Sequence, residues 1–372
     1  MAPTVRDTAR ATDPPAGATR PPDPSAAGVP AGSAPVARAG SAVAGASEVG
    51  AELRRMLATG ELDLAVPGAG RTASRWTALA TWGGRDLSLA RLAEGHTDAL
   101  AILAEAGRTP VPGALYGVWA SRSGGAAVRC ERRAGRTMLD GTMRFCSGAR
   151  LIDRALVVAD PPSATAADRV LLDVDLGEPG VVPVPGSWCT AAMADADTLD
   201  VVFDAVPVAP DAQVGEPGWY VARPGFALGG GGVAAVWWGG AAGVLDRVLG
   251  RLAATPDRHA LAHVGELHAA LAGADALLQR TAALVDAAGT AAPPGAETVD
   301  VVLAVATLRA EVERVAREVV DRAPRIVGPG PLSRDAGLAR ALSDLALYVR
   351  QHHAERDHAA LGEQVLDRRR RA

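Results

Sequence analysis

The chain has 372 residues, 48% of them hydrophobic, which is enough to bury a large core as two or three sub-domains. Its net charge of −4 gives no field that would draw in nucleic acid or an anionic membrane surface, and all 38 basic residues are arginine. The scattered Cys130, Cys146 and Cys189 lack metal-ligand spacing and suit a reducing cytoplasm, and no apolar run reads as long enough to span a bilayer.

In chain order, residues 1–44 are rich in Pro, Ala and Gly without a period, the composition of a disordered leader. Residues 45–112 form a reduced helical domain. Ser47 stands as cap to a short helix with Leu53, Met56 and Leu57, and Asp86 precedes a longer one with Leu89, Leu92, Leu100 and Leu103 on its apolar face. Gly107 and Pro110 stop that helix. Residues 113–222 change character. Short β-rich runs at 116–119, 127–132, 151–159, 170–174, 181–184 and 199–206 alternate with Gly, Pro, Asp and Ser, which predicts an antiparallel β domain. Residues 223–362 return to helical periodicity at about 226–253, 257–288, 297–323 and 335–361. The breaks are Pro256, Pro293-Pro294-Gly295 and Gly328-Pro329-Gly330-Pro331, so the expected form is a four-helix bundle. Residues 363–372 are an Arg-rich tail.

The most informative stretch runs from Gly141 to Ala159. It carries Phe145, Cys146 and Ser147, then the small residues Gly148 and Ala149, then an apolar run. On a strand, an aromatic and a hydroxyl two residues apart face the same side, where they can stack on a planar heterocycle and give it one hydrogen bond. Between Tyr116 and Ala126, Trp119 precedes Gly124 and Gly125, whose freedom lets backbone amides approach a phosphate. Gly239, Gly240, Ala241, Ala242 and Gly243 give the first bundle helix a small-residue surface that allows close approach. Gly229 to Gly232 lacks the preceding strand that a dinucleotide fingerprint needs. His259 and His263 lie one turn apart, but Ala260 stands where a zincin has its catalytic Glu, so a solvated face is expected and no metal site.

The order of a helical part, a small β domain and a helical bundle, together with these motifs, resembles the acyl-CoA dehydrogenase family over roughly residues 85–362. In that family a Trp-Ile-Thr hairpin lies against the isoalloxazine ring, and here Phe145, Cys146 and Ser147 stand at its three positions. The family's Thr-Glu-Pro-x-x-Gly-Ser-Asp loop falls at Tyr116 to Ala126, with Trp119 replacing Thr, Gly124 kept and Gly125 replacing Ser. Arg258 matches the Arg of Arg-x-x-Phe-Gly, which reaches the partner subunit's cofactor. Arg325, Gly328 and Gly330, followed by Ser333-Arg334-Asp335, resemble the Gln-x-x-Gly-Gly-x-Gly loop that contacts the neighbouring FAD.

The resemblance implies an α+β flavoprotein with a short N-terminal helical part, a middle antiparallel β domain and a C-terminal four-helix bundle. It also implies FAD, a homodimer or homotetramer, an acyl thioester or similar small molecule as substrate, and an electron-transfer flavoprotein as a possible acceptor. In the family, Ile-Tyr-Glu-Gly-Thr supplies the carboxylate that removes the α-proton while hydride leaves Cβ for the flavin. Counted from Tyr348, the Glu position holds His352, with Glu355 one turn further on. A neutral imidazole titrates near working pH and is the available substitute base. The expected activity is flavin-dependent oxidation of a CH–CH group in an acyl thioester. A flavin monooxygenase on the same fold, which needs no carboxylate, and a non-catalytic scaffold are the alternatives.

Overall fold

The architecture is taken from a computed structural model that describes residues 39–133, 135–162, 165, 168–289 and 296–371. The leader expected over 1–44 therefore lies outside the described residues up to position 38, as does the Pro293-Pro294-Gly295 break. Helix α1 (Ala39–Ala58) starts inside the expected leader and passes through Ser47, so Ser47 is not its cap. The last proline before it is Pro35, and the Ala/Gly/Ser run that follows contains nothing that stops a helix.

Helix α2 (Thr72–Arg85) has no counterpart in the sequence reading. Its two glycines and three threonines argue against a helix, yet it docks along α5 (Pro224–Leu249). Gly83, Gly239 and Gly243 make this possible. A Cβ at Gly239 would meet the Ala80 carbonyl, one at Gly83 the Val236 carbonyl, and one at Gly243 the Gly84 carbonyl. The small-residue surface on α5 thus receives another helix backbone. Helix α3 (Leu87–Glu105) begins as its sequence predicts, with the Asp86 carboxylate accepting from the Leu89 amide at 2.9 Å.

Among the described residues, seven strands follow in two sheets: β1 (Tyr116–Trp119), β2 (Val128–Arg133), β3 (Arg136–Cys146), β4 (Arg154–Ala159), β5 (Val170–Asp175), β6 (Val181–Val184) and β7 (Leu199–Val208). One sheet has the order β2-β3-β7-β6 and is antiparallel throughout; the other has the order β1-β4-β5. The β domain is antiparallel as expected apart from β1, which pairs parallel to β4, with Trp119 opposite Val157. Strand β3 is the longest and was missed, because Gly141 and its polar neighbours read as a turn.

After the single turn α4 (Trp219–Ala222), the bundle is built from α5, α6 (Arg258–Ala288), α7 (Ala296–Val327) and α9 (Ala336–Tyr348), with the short α8 (Pro329–Arg334) before α9. The expected fourth helix breaks at 349–354 and resumes as α10 (Glu355–Arg371), so the Arg-rich tail is helical up to Arg371. Helix α5 passes, by length and composition, for a membrane-crossing segment, which corrects the sequence reading; most of its apolar window is nevertheless buried within the protein.

Candidate functional site

The stretch around Phe145 is set by a bulge. The β3–β7 register shifts between Met143 and Cys146, and Phe145 takes φ 60°, the left-handed region that a side chain adopts at a cost. Cys146 then points into the core, where burial pushes its thiol far up, so it packs as a small apolar side chain. Phe145 is left 51% exposed, its ring edge-on to Trp188 at 6.4 Å and 88°. Trp188, which no motif marked, is anchored by its indole N–H to the Ala192 carbonyl at 2.9 Å. An exposed aromatic ring is thus braced edge-on by a half-buried one.

Ser147 closes the strand end. Its carbonyl accepts the Trp119 indole N–H at 3.1 Å, and its hydroxyl shares a hydrogen bond with the Thr198 hydroxyl at 3.1 Å. The turn beyond is tied down at Gly148, whose amide donates to Ala196, and at Ala149, whose amide donates to Asp197. The Asp197 carboxylate in turn takes the Arg150 amide at 2.8 Å and the Arg150 guanidinium. These bonds hold the hairpin end rigidly under Phe145.

Trp119 is 2% exposed and lies against Gly117 and Ile152. The gap left between Trp119, Ser147, Leu92 and Arg91 is about 10 Å³, room for one water and not for a tricyclic ring. A flavin therefore cannot lie between β1 and α3. The outer face is different. It offers the Phe145–Trp188 rings and, one residue before Phe145, Arg144, which faces Asp200 at 3.8 Å and lies beside the loop Ser123–Gly125, where Gly124 and Gly125 have φ of 62° and 75°. An aromatic plane, a guanidinium and a glycine loop are groups that a ring bearing a phosphate needs, so these residues fit a flavin laid on this face.

The residues expected to meet a partner subunit's cofactor, and the expected base, lie on the helical bundle. Arg258 is exposed at the start of α6, and Arg325 pairs with Asp321 at 2.7 Å. Gly328 caps α8 with φ 69°, and Gly330 lies inside that helix with open space around it. Glu355 is exposed in the first turn of α10. His352 is 3% exposed and turns toward Glu313 and His358, and burial lowers its pKa, favouring the neutral ring. Of His259 and His263, the first is exposed and the second sits beside Glu266 and Arg322.

The interior between α3 and the bundle is filled by a charged network. Arg91 pairs with Glu94 at 2.7 Å, and burial raises the Glu94 pKa. Tyr348 is buried edge-on to Trp237, its hydroxyl pKa raised by burial, and the Arg309 guanidinium lies 4.9 Å from the centre of the Trp237 ring.

Comparison with known proteins fits this architecture. Residues 216–349 match the model of the acyl-CoA dehydrogenase C-terminal domain. No curated protein matches the chain by sequence. Among solved structures, the FMN and indole complex of TdsC from Paenibacillus sp. A11-2, a dibenzothiophene monooxygenase, is 21% identical with a TM-score of 0.71, covering 88% of this chain and 97% of that one. The methanesulfinate monooxygenase MsuC from Pseudomonas fluorescens is 18% identical with a TM-score of 0.72, over 89% and 97%. Butyryl-CoA dehydrogenase from Megasphaera elsdenii is 16% identical with a TM-score of 0.66, over 78% and 80%.

Proposed function

From a chain of acyl-CoA dehydrogenase fold, whose residues 216–349 are that family's C-terminal domain, we propose a flavin-dependent oxidoreductase of the oxygen-using, monooxygenase type acting on a small molecule. The observation that carries this reading is the exposed Phe145 ring packed edge-on to Trp188, next to Arg144 and the Gly124-Gly125 loop. When bound, the flavin supplies the redox chemistry. Phe145 would stack on its ring, backed edge-on by Trp188, Ser147 would give it one hydrogen bond, and Arg144 with the Gly124-Gly125 amides would hold its phosphate.

The monooxygenase reading is favoured over CH–CH dehydrogenation because α-proton removal needs a base at the ring. His352 and Glu355 have no contact with Phe145, Trp188 or Ser147 among the described residues. TdsC and MsuC, both monooxygenases, support the same choice. FMN is proposed in place of FAD, since the loop expected to meet the adenosine has become the short helix α8 and TdsC binds FMN. A second copy of the chain is proposed to cover the exposed face. Acyl thioester oxidation stands as the second reading, supported by the C-terminal domain match.

The test is to reduce the purified protein anaerobically, readmit oxygen and follow oxygen uptake and flavin reoxidation with sulfur and nitrogen heteroaromatics. Substrate-dependent incorporation of one oxygen atom is expected. Bleaching of the oxidised flavin by acyl-CoAs, with no oxygenated product, would establish the dehydrogenase reading instead.

A further inference from the structure

Three side chains with metal-ligand chemistry converge outside the hairpin. Glu313 of α7, His352 of the turn after α9 and His358 of α10 each bring one ligand atom within 4.8 Å of the other two. The carboxylate of Glu313 is almost wholly buried. Its Oε1 accepts from Arg317 at 2.7 Å and from Arg350 at 3.0 Å, while its Oε2 is buried with no hydrogen-bond partner among the described residues. Nδ1 of the buried His352 is likewise without a partner. Buried polar atoms are ordinarily satisfied, and two orphans in one cluster mark a missing partner common to both. His358 approaches from the solvent side, its ring 5.0 Å from that of His352, so one corner of the cluster stays open to water.

We propose that Glu313, His352 and His358 bind a divalent first-row transition metal through two imidazoles and one carboxylate. Imidazole nitrogen selects zinc, iron, copper or nickel over magnesium and calcium, which take oxygen ligands. Around a tetrahedral ion with ligands about 2.0–2.2 Å away, donor atoms stand roughly 3.3 Å apart, a small contraction of the cluster as it is. Arg317 and Arg350 are half-exposed and occupy the other carboxylate oxygen, so they orient Glu313 while leaving Oε2 free. Arg309 is stacked on Trp237, and Asp357, adjacent to His358, adds negative charge.

The site also answers a packing question. Helix α10 buries no residue, and Arg368–Asp300 at 2.9 Å is an exposed ion pair of the kind that contributes little. A metal held by α7, the preceding turn and α10 would staple that helix to the bundle.

The experiment uses the full chain stripped with a chelator and titrated with Co²⁺, then Zn²⁺. One equivalent of Co²⁺ should bind with the intense visible absorption of a tetrahedral centre and be displaced by Zn²⁺. Zinc should raise Tm and protect α10 from proteolysis. His358→Ala, at an exposed position, should keep the fold and lower the affinity by more than about tenfold, and Glu313→Gln should do the same. Sub-stoichiometric binding to the wild-type chain, or unchanged affinity in a folded His358→Ala, would overturn the assignment.

Discussion

Trp119 gives its indole N–H to the Ser147 carbonyl at 3.1 Å, and in doing so the buried ring fills the space between β1 and the hairpin end. This single bond couples the strand at one side of the candidate site to the hydroxyl residue at the other. Trp119→Ala should leave a cavity there and cost about 3–5 kcal/mol. Trp119→Phe should keep most of the packing and cost less. Chemical denaturation of the two variants measures both, and equal losses would mean that packing at Trp119 is not what holds the hairpin end.

Phe145 combines strain with exposure, which gives it an unusual mutational signature. At φ 60° glycine has no steric cost, so Phe145→Gly should be about as stable as the wild type. A β-branched residue suffers most there, and Phe145→Val should lose roughly 1–2 kcal/mol more than Phe145→Gly. A neutral Phe145→Val would mean that residue 145 is not in the left-handed region.

The glycines of α5 are distinguishable from those of α6. At Gly239 a methyl group would strike the Ala80 carbonyl, so Gly239→Ala should destabilise by about 1–3 kcal/mol. At Gly265, inside α6, a Cβ meets open space, and Gly265→Ala should stabilise by about 0.5–1 kcal/mol through helix propensity alone. Thermal unfolding reports both signs, and a stabilising Gly239→Ala would contradict the backbone contact between α2 and α5.

His96 sets a pH dependence. Its Nδ1 accepts the Tyr116 amide at 3.0 Å, and burial lowers its pKa from 6.5 to about 4, with Asp63 and Asp153 acting against that fall. The unfolded chain thus takes up a proton at higher pH than the folded one does. Stability should be full above about pH 6.5, fall as pH drops toward 4, and be lower by roughly 3 kcal/mol below that. His96→Asn, which keeps an acceptor for Tyr116, should remove this component from the denaturation profile. An unchanged profile in that variant would assign the acid sensitivity elsewhere.

Strands and long helices were legible in the sequence because their signals are local. The runs 116–119 and 181–184 and the Asp86 cap match the structure residue for residue. Helix α2 was not legible, since its stability comes from the glycine face of α5, far along the chain. The motif at Phe145 was visible, but its Trp188 neighbour and the left-handed bulge were not, because nothing in the intervening sequence signals their meeting. The cluster at Glu313 escaped for the same reason. His259 and His263 have the spacing of a metal pair yet lie apart from it, whereas Glu313, His352 and His358 have no regular spacing and converge through the break at 349–354.

The central claim is that flavin rests on the open aromatic face. Its most direct measurement is the flavin content, read from the visible spectrum and released cofactor, of the purified wild-type protein beside Phe145→Gly, whose stability should be preserved. The account predicts a yellow wild-type protein carrying one FMN per chain and a folded variant that has lost it. A colourless wild-type protein that takes up no added flavin, or a Phe145→Gly variant that binds it as tightly, would contradict the account.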